Sequence, residues 1–160
     1  MKKLLLIGAL TFGLNALGQT NLRYNIDEIK LDSTEMMAYV IDTEEPVTGI
    51  VFDLWPNGNL KSERECRNGK KSGVHKKWFE DGSLAGIGMF KDNKMDGVFL
   101  RFYEGGQTFE ESWVENDLPV CLRRYYPWGQ LAYEYKFENG EFVSGSCWDE
   151  NGEEKECPKE

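Results

Sequence analysis

The sequence predicts an all-β fold: an elongated, twisted antiparallel meander of repeated β-hairpins, each about 24 residues long. Two recurring turn signals, separated by short apolar runs, predict this fold class. The first signal is a glycine, found at Gly58, Gly82, Gly106 and Gly129. The second is a pair of turn residues that begins at Asn68, Asp92, Asn116 and Asn139. The two signals alternate every 11 to 13 residues, which is the spacing of short strands joined by tight turns.

The turn residues also predict a register. The second member of every pair is Gly, Asn or Asp, the residues that tolerate a positive φ angle. We expect two-residue hairpin turns throughout, so the turn at Asn57-Gly58 places Trp55 opposite Leu60. From that pair, the alternation of side chains along each strand places a set of largely apolar residues on one face of the sheet. That face is predicted to hold Trp55, Leu60, Cys66, His75, Phe79, Leu84, Phe90, Phe99, Tyr103, Val114, Leu122, Tyr126, Leu131 and Phe137.

The composition excludes several classes of protein. The 160 residues fit one domain, and the 40% apolar content argues against global disorder. A formal net charge of −9 lacks the basic surface that nucleic-acid phosphates require, and it disfavours an anionic membrane as a partner. One histidine and scattered cysteines cannot form a His-based metal site, so neither a metal nor a cofactor is expected.

The chain begins with a predicted signal peptide over residues 1–18. Lys2 and Lys3 precede a short apolar run, and small residues lie before a predicted cleavage near Gly18/Gln19. An ordinary N-terminal helix is the alternative. Cleavage would change the net charge from −9 to −11. We expect the mature chain, which has no second long apolar run, to be soluble in the periplasm, at the cell surface or in the medium.

The remaining residues are predicted to form one domain. Residues 19–35 carry no repeat signal and are expected to form a leader of uncertain structure, either mobile or a short helix across the first strand. Residues 36–157 hold the single repeat domain, with a first strand at 36–41, and residues 158–160 form a tail. The last unit is short, as expected for a terminal repeat that faces water.

The repeated units resemble MORN repeat variants. The resemblance rests on residues 54–60 (LWPNGNL) and 78–84 (WFEDGSL), and on the links 67–73 (RNGKKSG) and 91–97 (KDNKMDG). The arrangement is similar to that of the YwqK-like repeat proteins, which are often labelled antitoxins. The resemblance covers about residues 36–155 and implies MORN-like units of one elongated antiparallel sheet, no catalytic residues, and binding to phospholipid or protein. Residues 119–121 (PVC) depart from the pattern, because a glycine is expected there.

The four cysteines fall into two predicted classes. Cys66 and Cys121 occupy positions that are apolar in the other units, which predicts buried thiols. Cys147 and Cys157 lie near each other at the open end of the last hairpin. An oxidising compartment then favours a disulfide between Cys147 and Cys157, with free thiols as the alternative.

No catalytic residue is predicted. His75 stands where other units have apolar residues, so we expect a half-buried, hydrogen-bonded side chain rather than a general base. Adjacent acids such as Glu110 and Glu111 point to opposite faces of a strand and cannot act on one bond. The sequence therefore predicts a protein that is not an enzyme.

Surplus aromatic residues on the second face of the sheet form the candidate partner-binding strip. Large aromatic side chains concentrate binding energy at interfaces. The alternative is that the twisted sheet curls and covers these side chains itself. The strip is predicted to consist of Trp78, Phe102, Trp113, Tyr125, Trp128 and Tyr133.

The predicted function is that of an exported, non-enzymatic repeat scaffold that binds a protein or peptide, for example through an exposed sheet edge. The resemblance implies two alternatives: a module that binds phospholipid at a membrane surface, and an immunity-type protein that neutralises a toxin. The negative charge weakens the first alternative, and export conflicts with a cytoplasmic antitoxin. The identity of the partner and the oligomeric state are left open.

Overall fold

The repeat sheet extends over most of the chain. The computed structural model describes residues 22–34 and 36–157, so the predicted signal peptide at 1–18 and the tail at 158–160 lie outside the described residues. Regular structure within those ranges is β-strand apart from one 3-10 turn. The predicted fold class, an antiparallel meander of repeated hairpins, is confirmed.

The meander is formed by strands that follow one another along the chain. The strands are β1 (Arg23–Asn25), β2 (Ile29–Asp32), β3 (Met37–Val40), β4 (Gly49–Leu54), β5 (Leu60–Arg67), β6 (Lys70–Trp78), β7 (Leu84–Lys91), β8 (Lys94–Met95), β9 (Gly97–Phe102), β10 (Thr108–Glu115), β11 (Leu118–Tyr125), β12 (Leu131–Glu138), β13 (Glu141–Trp148) and β14 (Glu154–Lys155). The main sheet has the order β1-β4-β5-β6-β7-β9-β10-β11-β12-β13-β14, with β8 paired to β7. All its pairs from β4 onward are antiparallel.

The glycine turns are three-residue loops, not the two-residue turns predicted from the sequence. In the first of them Gly58 N donates to Trp55 O (2.9 Å), and Trp55 N donates to Asn59 O (2.8 Å). Pro56 suits the second position of a type I turn, and Gly58 takes the left-handed conformation that must follow it, with φ +88°. The same two hydrogen bonds recur at residues 79–83, 103–107, 126–130 and 149–153.

The extra loop residue shifts the pairing beside each glycine turn. Leu60 lies opposite Leu54, so the predicted pair of Leu60 with Trp55 is wrong. A β-bulge then follows directly and absorbs the shift. Beyond it the predicted register is restored, with Val51 opposite Arg64.

The predicted apolar face has the expected register but a mixed composition. Leu122 lies there as predicted, opposite Ser112. The same side also carries Glu110, which is flanked by Arg101 and Arg124 on the two neighbouring strands. The expectation of an almost wholly apolar face is wrong because alternation brings mid-strand charges to the same side. These charges are tolerated there because they pair with one another.

The paired turn residues form two-residue turns with positive φ angles, as predicted; φ is 50° at Asp92 and 73° at Asn93. Two of these turns also bind the preceding hairpin. Asn93 N donates to Lys71 O (2.9 Å), and Lys71 N donates to Asn93 Oδ1 (2.7 Å). Asp117 makes the same two bonds with Met95. These reciprocal bonds, here called turn clamps, fix each hairpin against the one before it.

Residues 22–34 pack against the start of the repeat sheet, unlike the leader that the sequence predicts. Strand β1 runs parallel to β4, and Ile50 N donates to Leu22 O (2.8 Å). Gly49 permits this approach, because a Cβ at that position would lie 2.4 Å from Leu22 O. Only Ile26–Glu28 form a helical turn, which Asn25 caps.

The strand predicted at 36–41 is present as β3, but it does not start the main sheet. It pairs with β2 in a separate two-stranded sheet and reaches the repeats through a bond from Ala38 N to Gly69 O (2.8 Å). The small sheet covers apolar side chains at the start of the main sheet, where each buried valine contributes about 1.5–3 kcal/mol. The buried cluster consists of Ile29, Ala38, Val47, Val51 and Cys66.

Replacing Asn93 by glycine tests the turn clamp. Asn93→Gly keeps a residue that accepts positive φ but removes the acceptor of Lys71 N and the donor to Met36 O (2.9 Å). We expect the free energy of unfolding, measured by urea denaturation, to fall by about 1–3 kcal/mol. Asp92→Gly is the matched control, because the Asp92 side chain makes no hydrogen bond to a described residue. An equal loss in both variants would contradict the clamp.

Candidate functional site

The two sides of the main sheet differ in chemistry. Strand pairing places His75, Ser112 and Arg124 on one side, here called the groove face. It places Trp113 and Arg123 on the other side, here called the Trp113 face. Candidate binding features occur on both faces and at the last strand.

A groove of about 380 Å³ opens on the groove face over strands β5 to β10. Gly86 and Gly88 line it, and the ring of Phe99 lies so close to Gly88 that a Cβ there would fall 2.0 Å from ring atom Cδ1. Phe90 contacts Phe99 edge to face, with ring centroids 5.5 Å apart. The groove therefore has an aromatic and glycine floor that a side chain at residue 88 would disrupt.

His75 lies in this groove as a hydrogen-bonded side chain, as the sequence predicts. Its Nε2 is 3.2 Å from the carbonyl oxygen of Glu65, and the residue is half-buried. Burial is the main cause that lowers the pKa of His75 to about 4. The positive charges of Lys71, Arg64 and Lys77 lower this pKa as well, whereas the bond to Glu65 raises it. His75 is therefore neutral at pH 7.

Three cations around His75 lack a counter-ion. Arg64, Lys71 and Lys77 form no ion pair with a carboxylate of residues 22–34 or 36–157. Arg64 Nη2 is buried and has no hydrogen-bond partner in those ranges. Lys71 Nζ lies 5.7 Å from the ring centroid of Phe90, a cation–π contact. We call this region the basic groove, defined by Arg64, Lys71, His75 and Lys77.

Farther along the groove face the charges are paired. Glu110 is buried and accepts a hydrogen bond from Arg124 Nη2 at 2.6 Å. Its other carboxylate oxygen lies 3.5 Å from Arg101 Nη1. The Arg124 guanidinium also lies over the rings of Phe109 and Tyr133, at 4.7 and 5.2 Å. The groove face thus already holds one carboxylate between two arginines of adjacent strands.

The predicted aromatic strip is not one surface. Tyr133 lies on the groove face opposite Arg124, so its assignment to the strip is wrong. Alternation in β12 keeps Tyr133 on the same side as Tyr135, with which its ring stacks at 4.5 Å. Trp128 lies in a glycine turn and stacks on Tyr126 at 4.9 Å. Alternation along the strands does place four members on the Trp113 face: Trp78, Phe102, Trp113 and Tyr125.

Exposure separates Trp113 from most of the strip. Trp113 is 52% exposed and lies opposite Val98, which is also exposed. Met89, another exposed residue, lies on the same face by alternation along β7. These three residues form a small apolar area, here called the Trp113 patch.

Aromatic side chains next to the glycine turns have a role that the sequence predictions missed. At three of the turns their polar tips donate to the main chain of the following hairpin, which explains why Trp or Tyr precedes those turns; Phe79 holds the same position before Gly82 and has no polar tip. The bonds run from Trp55 Nε1 to Trp78 O (3.1 Å), from Tyr103 OH to Tyr125 O (2.8 Å) and from Tyr126 OH to Trp148 O (3.1 Å). The sequence signal that could have revealed this role is an aromatic residue with a polar tip that recurs just before the turn glycine.

Cysteine chemistry is divided between the two ends of the sheet. Cys147 and Cys157, the pair singled out from the sequence, are joined by a disulfide with Cα atoms 5.3 Å apart. The bond holds β14 and the residues after it against the start of the last turn. Cys66 is a buried free thiol, as predicted, and burial raises its pKa. Cys121 is also free but only half-buried.

The outer edge of β13 is open along most of its length. Strand β14 pairs only with Cys147 and Trp148. Residues 141–146 pair with β12 on their inner side and with no described strand on their outer side. Phe142 and Val143 on this segment are 60% and 53% exposed.

A comparison with known protein families identifies the repeat. Residues 71–92 match the family described as MORN repeat variant. The chain contains a MORN repeat variant. The match spans most of β6, the glycine turn and all of β7, and such a repeat is typical of a repeat-type binding module.

Solved structures show distant similarity. The chain is 15% identical to a mutant of S. aureus TarM in complex with fondaparinux, alpha-GlcNAc-glycerol and UDP, with a TM-score of 0.37 over 71% of this chain and 20% of that one. A second crystal structure of TarM gives 16% identity and a TM-score of 0.35 over 67% and 18% of the two chains. This chain therefore spans about a fifth of the TarM chains that it matches. A search of curated proteins finds no match.

The MORN unit supplies much of the basic groove. Lys71, His75 and Lys77 lie within its β6 half, and Gly88 and Phe90 lie within its β7 half. No cluster of His, Cys, Asp or Glu that could hold a metal is present in the described part of the chain. No helix among the same residues is long and apolar enough to cross a membrane. The chemistry available in the groove is the binding of charged and aromatic groups.

The depressed pKa of His75 makes stability depend on pH. Between about pH 6.5 and 4 the unfolded chain binds a proton that folded His75 does not, so stability falls as the pH decreases through this window. We expect the urea midpoint of the wild type to fall more between pH 7 and pH 5 than that of His75→Gln. Carboxylates titrate in both proteins, so the difference between the two isolates His75. Parallel pH profiles would contradict a neutral, buried histidine.

Proposed function

We propose that the protein is exported and acts, without catalysis, as a scaffold that binds an extended peptide segment of a partner protein. The open edge of β13 carries the proposal. Residues 141–146 present main-chain N–H and C=O groups on the side away from β12. An edge of this kind is completed when another chain adds a strand.

The edge has the dimensions and chemistry for one added strand. At about 3.3 Å per residue it accommodates a peptide of about six residues. Exposed Phe142 and Val143 offer apolar contacts to that peptide. Strand β14 limits the site at its far end, because the disulfide of Cys147 and Cys157 holds it in place.

A partner peptide is favoured over a second copy of this chain. Each copy has a net charge of −9, so two copies repel each other. Glu141 lies at the edge itself, where pairing of two β13 strands would add carboxylates of like charge.

Export is supported by two independent features. Residues 1–18 have the pattern of a secretory signal. The bond between Cys147 and Cys157 is of a kind that persists in oxidising compartments outside the cytoplasm. Both features fit a periplasmic, surface-bound or secreted protein.

A binding role without catalysis is supported by how the acid–base groups are used. Glu110 is held between Arg101 and Arg124, and His75 Nε2 faces the carbonyl oxygen of Glu65. Two arginines therefore engage the Glu110 carboxylate, and a main-chain carbonyl engages one ring nitrogen of His75. Phospholipid binding, toxin neutralisation and membership of the YwqK-like subfamily stay predictions.

Photo-crosslinking at the edge tests the proposed function. A benzoylphenylalanine placed at Glu141 of the full chain, expressed in its own cells, is expected to give one discrete adduct under ultraviolet light. We expect the adduct in the extracytoplasmic fraction. Mass spectrometry should show that the scaffold chain in the adduct begins at Gln19 and that the partner peptide is attached at position 141.

Two variants identify the surface. Val143→Lys adds a charge to the open edge and should abolish the adduct. Trp113→Ala removes the aromatic side chain of the Trp113 patch and should leave the adduct unchanged. Loss of the adduct in Trp113→Ala, with persistence in Val143→Lys, would overturn the edge assignment in favour of the Trp113 patch.

A further inference from the structure

A row of residues crosses the groove face, and one carboxylate faces the three positive charges of this row. From β5 to β11 the row consists of Ser62, Lys77, Gly86, Arg101, Glu110 and Arg124. Glu110 forms ion pairs with the arginines of β9 and β11. Lys77, with Arg64 in the adjacent row, faces no carboxylate of the described chain.

We propose that the basic groove binds an acidic peptide segment, whose carboxylates pair with Arg64 and Lys77 as Glu110 pairs with Arg101 and Arg124. The ligand would supply carboxylates to the part of the groove face where the chain has none beside these cations. The site lies at β5 to β9, about four inter-strand spacings or roughly 20 Å from the β13 edge. It therefore stands whether or not that edge binds a peptide.

The buried donor of Arg64 points to a ligand. Arg64 Nη2 and Arg124 Nε are both removed from solvent and have no acceptor in the described chain, but Arg124 has an ion pair with Glu110, whereas Arg64 has none with a described carboxylate. A buried donor without a partner is costly, and a charged donor is the most costly kind. Arg64 lines the groove, and a rotation of its side chain would bring this nitrogen to a carboxylate that enters the groove and accepts from it. Charge-assisted bonds between arginine and carboxylate are also among the strongest in proteins.

The spacing of the cations favours a chain of carboxylates over one compact anion. Lys71 and Lys77 are six residues apart along β6, roughly 20 Å, and Arg64 lies opposite His75 between them. A single phosphate cannot reach them all. Alternate side chains of an extended peptide are about 7 Å apart, which matches this distribution. Phe90 and the glycine floor accept the aliphatic part of acidic side chains.

Binding of a labelled hexaglutamate peptide to the full-length protein tests the proposal. Because the protein has a net charge of −9, its overall field repels this peptide, and saturable binding must come from a local basic site. We expect saturable binding by fluorescence anisotropy, with Lys77→Gln weakening the affinity by roughly tenfold. Lys77 is exposed, so this variant should fold normally. Arg64→Gln should weaken binding similarly, with its folding checked by thermal unfolding.

Lys136→Gln is the matched control. It removes the same charge on the Trp113 face, where Lys136 lies opposite Cys121, and should change the affinity by less than about twofold. Equal weakening by Lys136→Gln and Lys77→Gln would show that the binding is general charge attraction, and it would overturn the assignment of the basic groove as the binding site. Absence of hexaglutamate binding would also overturn it. Tighter binding of tripolyphosphate than of hexaglutamate would overturn the assignment to carboxylates.

Discussion

Hydrogen bonds between consecutive hairpins hold this sheet together at both ends of its strands. At one end the Asn93 and Asp117 turns clamp the main chain of Lys71 and Met95. At the other end the polar tips of Trp and Tyr side chains donate to main-chain carbonyls one hairpin further on. The sheet needs these bonds because most of its length has no enclosed core. Among described hydrophobic residues outside the N-terminal cluster, only Val114 and Cys147 are buried.

The same constraint creates the candidate binding surfaces. A meander that is fixed by its turns does not require an apolar face, so the groove face can carry charge in its middle rows. Glycines at 86 and 88 leave room above the strands, and the ring of Phe99 fills part of it. The meander also ends in an edge, because β14 covers only the last two residues of β13. A charged groove and an open edge are therefore consequences of the architecture.

Local turn chemistry made the fold predictable from the sequence. Positive φ angles at Asp92 and Asn93 follow from residue types that tolerate them, and their 24-residue spacing fixes the order of strands. The Asn57-Gly58 pair predicts a two-residue turn, whereas Pro56 indicates the type I turn that begins one residue earlier and gives the three-residue loop. The bulge that restores the register could not be predicted from turn residues alone.

Features that depend on contacts between distant segments were beyond the sequence. Residues 22–34 carry no repeat signal, and their place beside β4 depends on the close approach that Gly49 allows. The charge pattern of the groove could not be predicted from the sequence either, because it depends on which residues face each other across strands. None of the residues opposite Arg64 and Lys77 on the neighbouring strands is a carboxylate, whereas Glu110 falls between two arginines by register.

Amide hydrogen exchange followed by NMR is the most direct test of a sheet that is locked by its turns and open at its last strand. The amides of Lys71 and Met95, which donate to turn side chains, should be among the slowest to exchange. Along residues 141–146, amides that point to β12 should be protected, and the alternate, outward amides should exchange rapidly. Rapid exchange at Lys71 and Met95, or uniform protection along residues 141–146, would contradict the account.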